Sequence, residues 1–167
     1  MPPRRLVLIR HAEAGDAPVD VDRPLTQLGE RRAEAIGEWL GRAGLAPDRV
    51  VVSPAVRAQQ TWERAAVALP AGLTGVDERI YDNTVDALLA VLGGLPDEAM
   101  TAALVGHNPA VGQLAAVLGD AEGDPAARHD VGSGFPTGGV AVFVLAGTFA
   151  ALEPGTATLT DFAVPGA

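Results

Sequence analysis

Short apolar runs alternate with longer stretches of helical period along this chain, and that alternation restricts its fold more than any other feature. The runs are LVLI (6–9), VVV (50–52), ALV (103–105) and VAVFVLA (140–146), with a weaker TLTDFAV near the end. Runs this short and this continuously apolar read as strands buried on both faces. Such strands need helices over each side of the sheet, so the pattern predicts an open α/β sheet covered on both faces.

The intervening segments supply those helices. In TQLGERRAEAIGEWLGRAG, residues Ala33, Ile36, Gly37 and Leu40 share one helical face, Thr26 can cap the start, and Gly41 and Gly44 close the end. Ser53-Pro54 reads as an N-cap followed by proline at the first helical position. It leads a stripe of Ala58, Thr61, Trp62, Ala65, Ala66 and Leu69 that runs to Pro70. LTGVDERIYDN reads as a weak strand and a loop, Thr84 starts a third helix that ends at Gly93-Gly94, and Pro109 starts a fourth. Residues 119–135, GDAEGDPAARHDVGSGF, lack periodicity and read as a mobile surface loop. No repeat or long linker divides the 167 residues, so 1–167 reads as a single domain.

Composition removes whole classes of chemistry. The 21 acidic residues outnumber the 12 basic ones and leave a formal charge of −9, which disfavours nucleic acid and anionic membranes as partners. Every basic residue is arginine, so lysine Schiff bases, a P-loop lysine and a Ser-Lys dyad are excluded. There is no cysteine either, which removes disulfides, thiolate nucleophiles and cysteine-bound metals. MPPRRLVLIRHAEA is too short in apolar residues for a secretory signal, and a cytoplasmic location is expected.

Three strand ends carry the polar residues that matter. The first run ends in Arg10-His11, the second in Ser53-Pro54 with Arg57 a few residues on, and the third in Gly106-His107-Asn108-Pro109. Ligands of open α/β sheets bind outside the carboxyl ends of the strands, so two arginines and two histidines are expected to converge there. Helix N-termini favour anions, and guanidinium forks match phosphoryl oxygens. The convergence predicts a phosphate pocket. Alone, His11 would be an ordinary polar strand end, Arg57 a solvated helix residue and His107 a loop histidine. Their joint placement is what argues for function.

LIRHAEAG, SPAVRAQQT and LVGHNP, in that order, resemble the signature segments of the histidine phosphatase superfamily. DRPLTQLGE and FPTGGVAVFVL are similar to its small phosphohistidine phosphatase, or SixA-like, branch. The resemblance implies a phosphoglycerate mutase-like three-layer α/β/α sandwich with a mostly parallel central sheet. It implies His11 as the nucleophile that becomes phosphorylated, with Arg10, Arg57 and His107 on the phosphoryl oxygens and His107 protonated. No cofactor or metal is implied, and a monomer is favoured. One departure is visible: Ala12 stands where the family usually has glycine, which is tolerable if that residue does not need a positive φ.

The leaving group bears on the substrate. Phosphate esters leave as alkoxides, and larger relatives in this family supply a carboxylic acid to protonate them. Glu13, Glu78 and Asp82 are the candidates here. A phosphoramidate needs less help, so the expected substrate is phosphohistidine on a protein. The alternatives are a small phosphate ester, or a phosphate-binding module that performs no chemistry. Asn108 and Arg23 are candidate rim residues; Arg23 either faces the pocket or pairs on the surface.

Overall fold

The computed structural model describes residues 2–167. In chain order it contains β1 (Arg5–Arg10), α1 (Gln27–Arg42), β2 (Arg49–Val52), α2 (Val56–Ala66), β3 (Leu73–Val76) and α3 (Val85–Gly93). Then follow β4 (Thr101–Gly106), α4 (Ala110–Leu118), α5 (Pro125–Ser133), β5 (Val140–Leu145) and β6 (Ala157–Ala163). The strands form one sheet in the order β3-β2-β4-β1-β5-β6. Pairings among β1 to β4 are parallel, whereas β5 runs antiparallel to both β1 and β6. Five strands therefore point one way and only β5 is reversed. This is the mostly parallel α/β sheet, covered on both faces, that the sequence predicts.

Alternation along each strand divides the core into two layers. Leu6, Leu8, Leu104 and Phe143 pack on one face beneath Leu88, Leu92, Val111 and Leu114 of α3 and α4. Val7, Ile9, Val50, Val52, Val105 and Val142 point the other way, against Ile36 and Leu40 of α1 and Ala58, Trp62 and Ala65 of α2. Both faces of β1 are thus dry, which is why LVLI has no polar alternation. Each fully buried side chain of this size contributes about 1.5–3 kcal/mol. No helix among the described residues is long and apolar enough to cross a membrane.

Helix α1 starts as its sequence suggests, with Thr26 Oγ1 accepting the Gly29 N–H at 3.0 Å. Two expectations are corrected. Residues 119–135 are not a structureless loop, because α5 occupies 125–133 with Asp124 as its cap and Pro125 in its first turn. It buries only Ala127 and Val131, too little to leave a periodic signature. The second correction concerns Ser53, which does not cap α2. That helix begins at Val56 behind Ala55, and Ser53 turns inward, fully buried, toward His107.

Candidate active site

Strand register builds the site. β1 pairs with β4 so that Arg10 lies opposite Gly106, which puts His11 and His107 at the same level just past the strand ends. The His11 N–H donates to the Gly106 carbonyl at 3.0 Å, and the Ser53 N–H donates to that of Val105 at 3.1 Å. Three strand ends thereby stop together, and the two imidazole centroids come to 5.2 Å.

The His11 ring is held by its own backbone. Its Nδ1 lies 2.7 Å from the Ala12 carbonyl oxygen. A carbonyl can only accept, so Nδ1 carries the proton and Nε2 keeps its lone pair. The Ala12 N–H donates to Thr61 Oγ1 at 3.0 Å, and that hydroxyl donates to the Arg57 carbonyl at 2.7 Å. Thr61 thus ties the turn after His11 to α2. Ala12 is buried, and among the described residues only Asn83 is a non-glycine with positive φ, so alanine fits here without backbone strain.

His107 is fixed from the other side. Its Nε2 lies 2.7 Å from Ser53 Oγ, and that oxygen accepts the Ala55 N–H at 3.2 Å. Nδ1 of His107 is buried and has no partner among the described residues. Arg10 donates from Nη1 to the Phe135 carbonyl at 3.0 Å, and Arg57 donates from Nη1 and Nη2 to Asp20 at 2.9 and 3.1 Å. Each guanidinium also keeps a buried Nε without a partner. Two buried guanidinium N–H donors without partners at one site point to a missing acceptor. A cavity of about 490 Å³ lies over them.

Electrostatics sharpen the picture. Burial, with Arg57 and Arg10 nearby, pushes His11 down to about 4. Burial, together with His11 and Arg57, pushes His107 down to about 3. Both shifts favour the neutral rings, so the positive charge that lines the cavity is carried by its arginines, Arg10, Arg23 and Arg57. A bound dianion would offset them and draw a proton back onto His107.

The structure brings Arg10, His11, Arg57, His107, Glu13, Arg23 and Asn108 to this cavity. Glu78 and Asp82 are exposed on a turn spanning 78–82 and do not line it. Glu13 accepts from Thr26 Oγ1 at 2.9 Å. Asn108 uses its side chain on the Phe135 carbonyl and the Gly112 N–H. With Ala110 N–H taken by Asn83, these N–H groups at the start of α4 bind side chains rather than an anion. Sequence reasoning missed Asp20, Tyr81, Asn83 and Thr137, which also line the cavity. Asp20 sits at the tip of a loop folded back on itself through the Ala14–Leu25 bridge. The one available signal was that so long a connection between the first strand and first helix must cross the strand ends.

Comparison with known proteins agrees with this geometry. A family model described as histidine phosphatase superfamily (branch 1) matches residues 6–81. An uncharacterized protein of Mycobacterium tuberculosis is 38% identical over 161 residues, covering 94% of this chain and 99% of the relative. Phosphohistidine phosphatase SixA of Escherichia coli is 34% identical over 125 residues, covering 72% of this chain and 78% of its own. The chain belongs to the histidine phosphatase superfamily.

The solved structures extend the likeness past residue 81. A Nakamurella multipartitia protein provisionally named phosphohistidine phosphatase SixA matches this histidine phosphatase with a TM-score of 0.90 at 34% identity, covering 100% of this chain and 99% of that one. A protein histidine phosphatase SixA, solved with tungstate, gives 0.76 at 28% identity and 95% coverage of each chain. Family and fold together support phosphatase activity for this chain.

Proposed function

We propose that this histidine phosphatase removes the phosphoryl group from phosphohistidine on a protein, passing it to His11 and then to water. The observation that carries the reading is the His11 ring, whose Nδ1 is committed to the Ala12 carbonyl. Its Nε2 lone pair is thereby free beside two arginines and the unpaired Nδ1 of His107. Nε2 attacks phosphorus, the bond from phosphorus to the substrate nitrogen breaks, and that nitrogen keeps the electron pair. Water then cleaves the new P–N bond, its proton leaves with the phosphate, and Nε2 recovers its lone pair.

Arg10, Arg57 and Nδ1 of His107 receive the equatorial oxygens, supplying charge where phosphoryl transfer develops it, with no metal required. The tungstate complex of the SixA relative supports a tetrahedral oxyanion as the guest. The substrate class rests on proton supply. Hydrogen bonds from Tyr81 and Arg23, with Arg57 adding to them, hold Asp20 down to about 2, so it is ionised and donates no proton. Glu78 and Asp82 stand outside the cavity, and Glu13, which lines it, is turned to the Thr26 hydroxyl. A site so arranged suits a leaving nitrogen better than an alkoxide.

The test compares kcat/KM for a phosphohistidine protein with that for a panel of phosphate esters. Rapid quenching should trap acid-labile, alkali-stable label on wild type and none on His11→Ala. An ester processed faster than the phosphohistidine protein would overturn the substrate class. Absence of trapped label would overturn the mechanism.

A further inference from the structure

We infer that the Asp20 carboxylate is the counter-ion for the protonated imidazole of the departing phosphohistidine. The inference rests on the substrate reading above and adds to it the residue that makes this leaving group competent.

Placement comes first. His11, Arg57 and His107 are 7, 6 and 6% exposed and form the floor of the cavity, whereas the Asp20 side chain is 53% exposed at its mouth. In-line transfer puts the entering and leaving atoms on opposite sides of phosphorus. With Nε2 of His11 at the floor, the leaving nitrogen faces the mouth. Two of the carboxylates tied to the pocket stand there, but Glu13 is bound to Thr26 at the start of α1.

Asp20 is held in place but not saturated. Its Oδ2 accepts from Arg57 Nη2 at 3.1 Å and from the Tyr81 hydroxyl, while Oδ1 accepts only from Arg23 Nη1 at 3.2 Å. A carboxylate offers about four lone-pair sites, so Oδ1 retains one for an incoming N–H. Its three anchors come from α2, from its own loop and from the 78–82 turn, so Asp20 is positioned independently of the substrate.

The chemistry gives that free site a use. Phosphohistidine with its second ring nitrogen protonated releases neutral imidazole when the P–N bond breaks. Without that proton it must release imidazolate, a far more basic leaving group. A carboxylate against the second N–H favours the protonated ring by the ordinary attraction of opposite charges. No proton moves: the electron pair of the broken bond goes to the leaving nitrogen and the remote N–H stays where it was. The charged groups facing Asp20 are Arg57 and Arg23; the titratable but neutral ones are the Tyr81 hydroxyl and, deeper in the pocket, His107.

The experiment uses the full chain and Asp20→Asn, which keeps an oxygen acceptor for Arg57 and replaces an exposed residue. Both proteins are assayed on a phosphohistidine peptide and on p-nitrophenyl phosphate, whose leaving group departs without a proton. The ratio of kcat/KM for the peptide over the aryl ester should fall roughly tenfold in the variant near neutral pH, the effect of about one unit in the ring's pKa. The ratio should recover as pH drops toward about 5, where solvent protonates the imidazole. Equal losses on both substrates would mean that Asp20 acts only through Arg57, and would overturn the inference while leaving the proposed function intact. A wild type that hydrolyses the aryl ester but not the peptide would overturn the proposed function itself, and this inference with it.

Discussion

The Nδ1 of His11 and the carbonyl oxygen of Ala12 lie 2.7 Å apart, and this short contact decides which nitrogen of the ring can act as a base or nucleophile. It is supported one bond further back, where Thr61 Oγ1 accepts the Ala12 N–H. Thr61 is fully buried, so the residue whose carbonyl orients the His11 ring is held from α2.

Thr61→Val preserves shape and removes the hydroxyl, leaving the Ala12 N–H buried without a partner. Such a group costs about 1–3 kcal/mol, which denaturant unfolding would read as a lower midpoint at unchanged slope. Because the carbonyl of the same residue sets the His11 ring, kcat should fall with little change in KM. A variant of unaltered stability and turnover would show that the hydroxyl does not hold this turn.

Protonation of the two histidines makes a separate expectation. Both are depressed, to about 4 for His11 and about 3 for His107, mainly by burial. Their unfolded values lie near about 6.5, so below that pH the unfolded chain binds more protons than the native one. Stability is then greatest above the unfolded value and declines as pH falls toward the native values. Imidazole resonances of His11 and His107 should stay neutral from pH 8 to about 5 in the free protein. Added phosphate should raise the His107 value, and calorimetry in buffers of different ionisation enthalpy should report proton uptake. Ordinary titration of either ring in the free protein would contradict this electrostatic account.

Much of this was legible because strands buried on both faces leave so plain a mark. LVLI, VVV and ALV announce a sheet, and a residue directly after such a run lies at its carboxyl end, as His11, Ser53 and His107 do. Contacts set by loops were not legible. Asp20 and Tyr81 are 61 residues apart in sequence, and their meeting depends on the path of the β1–α1 loop, which no local periodicity encodes. Ser53 shows a local rule losing to a tertiary one. Its cap signal is genuine, yet the hydroxyl goes to His107, and the helix starts later. In α5 the Asp124-Pro125 start signal was present, but two buried residues in nine positions gave it no amphipathic support.

Ser53 yields the next expectation. Ser53→Ala removes the partner of His107 Nε2, so the ring loses the side-chain contact that fixes its orientation at the cavity. If His107 holds substrate oxygens in the ground and transition states alike, as proposed, KM should rise and kcat/KM should fall by roughly tenfold, about the value of one net hydrogen bond to a charged group. His107→Ala combined with Ser53→Ala should add little beyond His107→Ala alone, because the serine works through the histidine. Full additivity in that cycle would assign Ser53 some other role.

The last expectation concerns Gly29, in the first turn of α1. Helix propensity alone would favour alanine there by about 1 kcal/mol. The structure argues the reverse, because a Cβ on Gly29 would stand 2.0 Å from the Glu13 carbonyl oxygen. That oxygen belongs to backbone, not to a flexible side-chain tip, and it already accepts the Thr26 N–H at 3.0 Å. Relief requires either α1 or the segment from Ala12 to Thr26 to move, and that segment carries Asp20 and Arg23 to the cavity mouth. Overpacking of this kind costs about 1–3 kcal/mol, which outweighs the propensity gain. Gly29→Ala should therefore unfold at lower temperature and show slower phosphatase turnover, with the damage shared between stability and KM. A thermal midpoint raised by the substitution would mean that propensity wins, and that the loop over the pocket yields freely.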